Sequence, residues 1–317
     1  MTDIAVLRAD THGLSARDYA DEIRERLPDA EVAYAATPQH ERQLVRDARV
    51  VTGVDVDADL LDEADRLELF ACAYAGTGHL PLDALEAHDV AVTNAAGIHA
   101  PSIAEQVLGY VLTFARNLHE GLRRSDQREW RHFQGYELTD STVTIVGLGA
   151  IGQAVAQRLQ GFDVDTIGVR YTPEKGGPTD EVVGFDDAAI HDALSRTDYL
   201  VLATPLTDVT RGLIGEEELL TMEPDSVLIN VARGGVVDTD ALLAEVQRQG
   251  IRGAALDVTD PEPLPHDHPL WTMENVIVTP HNAGHTPKHW ERLADILARN
   301  YERLETTGAE ELENRVV

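Results

Sequence analysis

The stretch "VTIVGLGAIGQAVAQRL", residues 143–159, decides the fold, because it joins an apolar run to a helical pattern through three glycines. Gly147, Gly149 and Gly152 follow the spacing GxGxxG, which is a weak signal when it stands alone. Here the glycines end a predicted strand and open a predicted helix, which is the setting that dinucleotide binding requires. The amino end of the helix would offer unpaired N–H groups to a pyrophosphate. A glycine-rich turn without a ligand is the alternative.

The end of the next predicted strand bears on which dinucleotide would bind. Folds of this kind that bind NAD carry an acid about 20 residues further on, where it accepts hydrogen bonds from the ribose hydroxyls. This chain has "TIGVRYTP" at that point, so Arg170 takes the place of the acid, and Tyr171 and Thr172 supply no negative charge. An arginine can bind the 2′-phosphate of NADP. The sequence therefore favours NADP, and an exposed arginine beside bound NAD is the alternative.

On both sides of this stretch, short apolar runs alternate with helical patterns in two blocks, which is typical of parallel sheets. The first block has the runs "DIAVLRA", "EVAYAA", "ARVVTG", "LELFACAYAG" and "DVAVTN", and the second has "TVTIVGLG", "VDTIGV", "DYLVLATP", "DSVLINVA", "GAALDV" and "NVIVTP". The predicted fold class is α/β, with two doubly wound parallel sheets. Two long helices should join the two sheets, with an active-site cleft between them.

The two long helices are predicted from apolar residues at helical spacing. The first covers residues 101–124, where Ser102 and Glu105 would form a capping box at its start. The second covers residues 287–304 and opens with Pro287 after Thr286. Shorter helices are predicted over residues 16–27, with Ser15 and Asp18 as a capping box, and over residues 57–67.

The composition excludes several classes of protein. With 317 residues, 43% of them hydrophobic, the chain can bury a large core, and its length favours about two domains. No stretch approaches the ~20 apolar residues of a membrane helix, and the first residues do not have the pattern of a secretory signal. Cys72 is the only cysteine, so the chain can form neither an internal disulfide nor a cysteine zinc site. We therefore expect a cytoplasmic protein.

The formal net charge of −30 at pH 7 is very large, and Lys175 and Lys288 are the only lysines. Carboxylates at such density repel one another unless salt screens them. We therefore expect adaptation to high salt, with an ordinary acidic surface as the alternative. A nucleic-acid partner is not expected, because phosphate contacts need a basic surface.

Three charged residues follow predicted strands of the second block: Arg233 after "SVLINVA", Glu262 after "GAALDV" and His281 after "NVIVTP". Ligands of open α/β sheets bind at the carboxyl ends of strands, so all three residues could converge on a nicotinamide. Reduction of a 2-oxo acid needs a hydride at the carbonyl carbon and a proton at the oxygen. A histidine can supply the proton, an arginine can hold the substrate carboxylate, and a carboxylate can orient the histidine. Each residue alone would be an ordinary surface or core group, but together they predict an oxidoreductase.

Five motifs, in this order, resemble the D-isomer-specific 2-hydroxyacid dehydrogenase family over nearly the full length of the chain. They are "GYELTDSTVTIVGLGAIGQAVAQRL", "ATPLTDVTRGLI", "INVARGGVVD", "ALDVTDPEPLP" and "TPHNAG". The resemblance implies that Arg233 binds substrate, Glu262 supports the histidine and His281 is the acid-base. It also implies reduction of a 2-oxo acid to a D-2-hydroxy acid with NADPH or NADH. Together with the acidic composition, it indicates a halophilic, haloarchaeal-type member.

In that family a flavodoxin-like substrate domain, here residues 1–98 completed by 286–317, flanks a Rossmann domain, here 99–285, that forms a homodimer. The resemblance implies that "CAYAGTGHL" binds substrate through Tyr74, Gly76, Thr77 and Gly78, and that Asp257 holds the nicotinamide carboxamide. The full set of implied cofactor residues is Gly147, Gly149, Ala150, Ile151, Gly152, Arg170, Tyr171, Thr172, Thr204, Pro205, Thr210, Val231, Ala232, Asp257, His281 and Ala283.

The segment "TPHNAGHT" departs from many members of the family, because Asn282 and His285 stand where apolar or small residues are common. We expect His285 at the rim of the site and His289 exposed on the last helix. No metal is expected, because His281 must stay free to transfer a proton. A formate, hydroxypyruvate/glyoxylate or 3-phosphoglycerate dehydrogenase of the same fold, or a nucleotide-sensing binding protein, is the alternative function.

Overall fold

The computed structural model describes residues 2–317, which pack into two compact units. One unit comprises the described residues up to His99 together with His285–Val317, and the other comprises Ala100–Gly284. Each unit contains one sheet, and every strand pairing is parallel. The prediction of an α/β fold with two parallel sheets is confirmed.

Strands and helices alternate along most of the chain. The strands are β1 (Ile4–Val6), β2 (Val32–Tyr34), β3 (Val50–Gly53), β4 (Leu69–Cys72), β5 (Ala91–Thr93), β6 (Thr142–Val146), β7 (Asp165–Val169), β8 (Glu181–Val183), β9 (Tyr199–Leu202), β10 (Val227–Asn230), β11 (Gly253–Leu256) and β12 (Val276–Val278). The helices are α1 (Ala16–Arg26), α2 (Pro38–Asp47), α3 (Ala58–Leu61), α4 (Leu82–Ala87), α5 (Ala100–Ala115), α6 (Leu118–Asp126), α7 (Ala150–Leu159), α8 (Asp187–Leu194), α9 (Glu216–Thr221), α10 (Thr239–Gln247) and α11 (His289–Thr306).

The first unit has a five-stranded sheet in the flavodoxin-like order β2-β1-β3-β4-β5. Its inner strands are buried runs of three or four residues, as expected where helices cover both faces of a parallel sheet. One face packs on α1 and α11, where the rings of Tyr19 and Trp290 stack with centroids 4.6 Å apart. The opposite face buries Phe70 and Leu85 completely. Helix α11 therefore belongs to the core of the first unit.

The second unit has a seven-stranded sheet in the order β12-β11-β10-β9-β6-β7-β8. Strand β6 lies inside the sheet, and the chain adds β7 and β8 on one side of it before adding β9 to β12 on the other. This is the doubly wound Rossmann order, and the boundary between β6 and β9 is its switch point, where ligands of such sheets bind. The predicted apolar stripe on α5 packs as expected: Val107 and Val111 are fully buried in one core with Val155 of α7.

Several predicted helix boundaries were wrong. Residues 101–124 do not form one helix, because Asn117 adopts a left-handed conformation with φ 49° between α5 and α6. Ser102 lies inside α5, two residues after its start, and its hydroxyl donates to the carbonyl of Gly284 at 3.4 Å. The last helix begins at His289, two residues after Pro287.

Smaller differences arise where the chain is short or at an edge. The helix expected over residues 57–67 is limited to α3, a single turn capped by Asp57. Ser15 caps α1 as predicted, but its hydroxyl accepts from the amide of Arg17, two residues on. Strand β8 and helix α2 were not predicted; β8 is a three-residue strand at the sheet edge and follows a loop rich in glycine and proline. Across residues 2–317, no helix is both long enough and apolar enough to cross a membrane.

Candidate active site

The glycine loop joins the end of β6 to the start of α7. Gly147 has φ +98°, and a Cβ there would lie 2.7 Å from the carbonyl oxygen of Ala203 on the neighbouring strand-end loop. A Cβ on Gly152 would lie 2.0 Å from the carbonyl oxygen of Gly147. Only glycine fits at both positions, so the first turn of α7 packs directly on the strand end. This is the close approach that a phosphate-binding turn needs.

The amino end of α7 carries backbone amides that no group of residues 2–317 satisfies. Helix α7 starts at Ala150, and its N-cap Gly149 has no side chain that could cap it. The amides of Gly149, Ala150 and Ile151 have no acceptor among the described residues. Unpaired N–H groups at the positive end of a helix dipole attract anions. A pyrophosphate therefore fits this turn.

Arg170 lies directly after β7, where the sequence places it. Its backbone amide donates to Val183 of the edge strand at 3.1 Å, and its guanidinium donates to the carbonyl of Gly176. No carboxylate among residues 2–317 forms an ion pair with it. Tyr171, next to it, is 79% exposed. The strand end is thus cationic and without an acid, as the sequence predicts.

The other residues expected near the cofactor lie in loops after β9, β10 and β12. Thr210 fixes the loop that follows Thr204, since its hydroxyl donates to the carbonyl of Pro205 at 2.6 Å. Val231 and Ala232, each 5% exposed, directly follow β10. These loops follow the carboxyl ends of strands in the same sheet as the glycine turn. Ala283, 4% exposed, follows β12.

Arg233 is positioned by an asparagine that the sequence reading missed. Asn230 ends β10 and is 1% exposed; its Oδ1 accepts from the amide of Ala232 at 3.0 Å, and its Nδ2 donates to the carbonyl of Arg233 at 3.1 Å. A Cβ on Gly234 would lie 2.0 Å from the carbonyl of Thr259, so this turn packs against the loop that leads to Glu262. The Arg233 side chain is exposed, and its guanidinium donates to the Ala232 carbonyl at 2.6 Å.

Glu262 and His281 meet, as predicted. Nδ1 of His281 lies 2.6 Å from Oε1 of Glu262, and their side chains are 48% and 43% exposed. A carboxylate that accepts the Nδ1 proton fixes both the tautomer and the orientation of the ring. The second nitrogen, Nε2, is then the ring atom that can exchange a proton with a ligand. A cavity of about 320 Å³ is lined by both residues together with Asp257, Thr279 and Trp271, among others.

Asp257 lies at the end of β11 and holds the backbone around His281. Its carboxylate is 2% exposed and accepts from the amides of Asn282 at 2.8 Å and Ala283 at 2.9 Å, and from the hydroxyl of Thr279 at 2.5 Å. Thr279 is also 2.5 Å from the hydroxyl of Tyr110 on α5, and burial raises the pKa of that tyrosine. No sequence pattern indicates Tyr110, because its contact with Thr279 joins parts of the chain that are far apart in sequence.

The expected substrate loop lies in the other unit, after β4. The amides of Gly76, Thr77 and Gly78 have no acceptor among residues 2–317, and a Cβ on either glycine would meet no atom within 4 Å. Tyr74, which begins the loop, accepts a hydrogen bond from the amide of Ala95 through its carbonyl at 3.1 Å. An open turn with several free amides can bind a carboxylate.

The last helix departs from expectation at His289. This residue is fully buried, so the prediction of an exposed helix residue was wrong. The helix begins at His289, which turns the ring into the core of the first unit beside Trp290. His285 is exposed, and its ring stacks on His12 with centroids 4.1 Å apart.

A Rossmann sheet with a glycine turn suited to an anion, and an oriented histidine at the carboxyl ends of its strands, is the arrangement found in dehydrogenases that use NAD or NADP. The family model "D-isomer specific 2-hydroxyacid dehydrogenase, NAD binding domain" matches residues 108–283. The chain belongs to the D-isomer specific 2-hydroxyacid dehydrogenase family.

Individual relatives agree with this assignment. The chain is 33% identical over 291 residues to a D-3-phosphoglycerate dehydrogenase of Methanocaldococcus jannaschii, which covers 90% of this chain and 55% of that protein. It is 35% identical over 252 residues to a glyoxylate reductase of Thermofilum pendens. That match covers 77% of this chain and 74% of the reductase. A solved family member from Xanthobacter autotrophicus, in complex with NADPH and MES, is 28% identical, with a TM-score of 0.79 over 100% of this chain and 98% of that one. The chain thus spans about half of the first relative's length.

Proposed function

We propose that the chain reduces a 2-oxo acid to a D-2-hydroxy acid and that His281 is the acid-base. The observation that carries the proposal is the 2.6 Å hydrogen bond between Glu262 and Nδ1 of His281. This bond leaves Nε2 as the proton donor, and the Asp257 carboxylate holds the turn that carries the ring, by accepting from the Thr279 hydroxyl and the Asn282 amide. Oriented acid-base groups contribute roughly 10²–10⁴-fold to a reaction rate.

The residues around the glycine turn fit a dinucleotide, because the unpaired amides of α7 and the glycines at its start leave room for a pyrophosphate. When bound, the cofactor would supply the hydride to the carbonyl carbon. Arg233 would bind the substrate carboxylate, since no carboxylate among residues 2–317 pairs with its guanidinium. His281 would donate the proton to the carbonyl oxygen, and Glu262 would hold the imidazole in place.

NADPH is the proposed form of the cofactor. Arg170 supports this choice, because it replaces the acid that would accept bonds from the ribose hydroxyls and repel a 2′-phosphate. Its guanidinium has further N–H groups beyond the one that donates to Gly176. NADH binding with Arg170 exposed is the alternative.

Relatives support a small 2-oxo acid as substrate, since they include glyoxylate reductases and a D-3-phosphoglycerate dehydrogenase. The direct test is an assay of the purified chain with glyoxylate, pyruvate, hydroxypyruvate and longer 2-oxo acids, each with NADPH and with NADH. We expect turnover of at least one acid, with NADPH preferred. Tight NADPH binding without turnover of any acid would favour a nucleotide-sensing protein, and formate oxidation would assign the chain to the formate alternative.

A homodimer through the nucleotide-binding unit is part of the proposal. That unit exposes large apolar side chains on α6 and just after it: Leu122 is 69% exposed and Trp130 is 99% exposed. Trp130 also lines one groove with Leu118 and Phe133, and exposed apolar surface of this kind is typical of contacts with another chain. Sedimentation of wild type and Trp130→Asp tests this point; a monomeric wild type would contradict it.

Function in molar salt is the proposed setting, in a cytoplasmic protein whose one cysteine is buried. The charge of −30 predicts a higher melting temperature in molar KCl than in dilute buffer, because screening reduces carboxylate repulsion. A melting temperature that stays flat or falls as KCl rises would contradict halophilic adaptation.

A further inference from the structure

Four histidines that are distant in sequence pack together in the first unit. His12 follows β1, His99 precedes α5, and His285 and His289 lie at the start of the last helix segment. The ring of His289 lies 5.2 Å from those of His12 and His99, and His12 lies 5.7 Å from His99. We call these four residues the histidine cluster.

His289 forms the buried floor of the cluster. It is fully buried, and neither of its ring nitrogens has a hydrogen-bond partner among residues 2–317. An unpartnered buried polar group costs free energy, so a position that serves packing alone would favour a phenylalanine or leucine. Burial lowers the pKa of His289 to about 3, with further lowering by His99 and His12. The floor is therefore a neutral imidazole with one N–H donor.

His12 and His285 form the exposed part of the cluster. Their rings are parallel within 11° and their centroids are 4.1 Å apart, so the ring edges of both residues can present N–H groups side by side. Neither His285 nor His289 forms an ion pair with a carboxylate of the described chain. The cluster also lacks the arrangement of a metal centre, since no group of three His, Cys, Asp or Glu side chains among residues 2–317 could hold an ion.

The exposed stack adjoins the substrate loop. The ring of Tyr74, the first residue of that loop, stacks on His12 with centroids 6.1 Å apart and lies 5.9 Å from the ring of His79. His79 is fixed at the far end of the loop by its Nε2, which is 2.8 Å from the carbonyl of Val54. The free amides of residues 76–78 therefore lie between Tyr74 and His79, on the same loop that the cluster contacts.

We propose that His12 and His285 bind a second oxyanion on the side chain of the substrate, a carboxylate or a phosphate, while the amides of residues 76–78 bind its 2-oxo acid carboxylate. This inference rests on the proposed function, because it assigns the substrate class of that reaction. Two adjacent imidazoles offer N–H donors that match the two or three oxygens of such a group. In a chain of charge −30, carboxylates on the rest of the surface would repel a dianionic substrate. The histidine cluster instead supplies N–H donors where the second oxyanion of the substrate would bind.

The test compares three substrates in wild type and in His12→Phe, His285→Phe and the double variant. Pyruvate has a methyl side chain, 2-oxoglutarate has a carboxylate, and 3-phosphohydroxypyruvate has a phosphate. Phenylalanine keeps a ring for the stack and removes both ring nitrogens. His40→Phe on α2, outside the cluster, is the control. In the His12 and His285 variants, we expect KM for at least one dianionic acid to rise about tenfold or more over the wild-type value. KM and kcat for pyruvate should stay within about twofold of wild type.

The rise for 2-oxoglutarate or for 3-phosphohydroxypyruvate identifies which oxyanion the cluster binds. Equal rises for all three acids, or no rise for either dianion, would overturn the proposal while leaving the reductase function in place. If wild type reduces no 2-oxo acid, the proposed function fails. The cluster is then tested separately, by the rise in melting temperature that inorganic phosphate or glutarate causes in wild type and in the double variant. Equal stabilisation of both proteins would then overturn it.

Discussion

The buried carboxylate of Asp257 fixes the backbone that carries His281. It accepts three hydrogen bonds from residues 279–283, and the Asp257 carbonyl accepts a fourth from the His281 amide at 2.8 Å. His281 itself has φ +50°, a left-handed conformation that costs roughly 1–3 kcal/mol for a residue other than glycine. The four bonds hold the turn in this conformation, and the turn brings the ring onto Glu262. Asp257 is thus a positioning residue for the proposed acid-base.

Replacement of Asp257 by asparagine tests this role. One acceptor oxygen becomes an NH₂ group that faces the amide donor of either Asn282 or Ala283, so the turn must shift. We expect kcat to fall about 10- to 100-fold, since a displacement of about 1 Å at a reacting group costs on this scale. Asp267→Asn, an exposed residue of the same region, is the matched control. Unchanged kcat in a folded Asp257→Asn protein would show that the turn does not need the carboxylate.

His281→Ala and Glu262→Gln separate the acid-base from the residue that orients it. The alanine variant should lose at least about 100-fold in kcat, because it has no proton donor. The glutamine variant keeps an oxygen that can accept the Nδ1 proton but loses the negative charge, so we expect a smaller loss. NADPH affinity, measured by fluorescence, should stay within a few-fold in both. A larger loss in Glu262→Gln than in His281→Ala would contradict these roles.

Arg233→Lys keeps the positive charge and removes the planar fork. If Arg233 binds the substrate carboxylate with two N–H groups, KM for 2-oxo acids should rise strongly, by about tenfold or more. Arg211→Lys, on a neighbouring loop of the same unit, serves as the control. Steady-state kinetics that match wild type would show that Arg233 does not contact substrate.

The predictable parts of the site are the residues whose positions follow from the order of apolar runs and turns along the chain. The glycines at residues 147–152 and the polar residues Arg233 and His281 after strands follow from the alternation of apolar runs and turns, because parallel strands end at one edge of a sheet. Asn230 could have been found, since a polar residue ending the buried run "VLIN" needs a partner. Tyr110 could not, because its contact with Thr279 depends on how α5 packs across the sheet.

The error at His289 has the same cause. Helical periodicity identifies an apolar face only where the start of the helix is known, and the pattern placed that start two residues too early, at Pro287. A histidine does not itself indicate which side it takes. Its burial follows from the packing of α11 on α1, where Trp290 is held against Tyr19.

The buried His289 predicts a specific dependence of stability on pH. Its folded pKa of about 3 lies below the ordinary value of about 6.5 because of burial and the neighbouring histidines, so the unfolded chain binds a proton below pH 6.5 that the folded chain does not. This residue therefore destabilises the fold as pH falls, by about 2 kcal/mol at pH 5 relative to pH 7.5. Urea unfolding at both values and fixed salt should show a smaller loss for His289→Phe. Equal losses in the two proteins would contradict the prediction.

Arg170 predicts the choice of cofactor. It stands directly after β7, beside the β6–α7 turn that would hold the pyrophosphate, and so at the position of the adenine ribose. An acid there would accept bonds from the ribose hydroxyls and repel a 2′-phosphate. Arg170 cannot accept those bonds, and its positive charge attracts the phosphate. A hydrogen bond to a charged group contributes roughly 1.5–3 kcal/mol, or about a ten- to hundredfold preference. We expect kcat/KM to be higher with NADPH than with NADH in wild type and the order to reverse in Arg170→Asp.

Lys175→Asp, which changes the charge on the adjacent turn, is the control and should keep the NADPH preference. The comparison must be made at fixed ionic strength, because salt weakens an exposed charge pair. Equal or better efficiency with NADH in wild type would show that Arg170 is an ordinary surface residue.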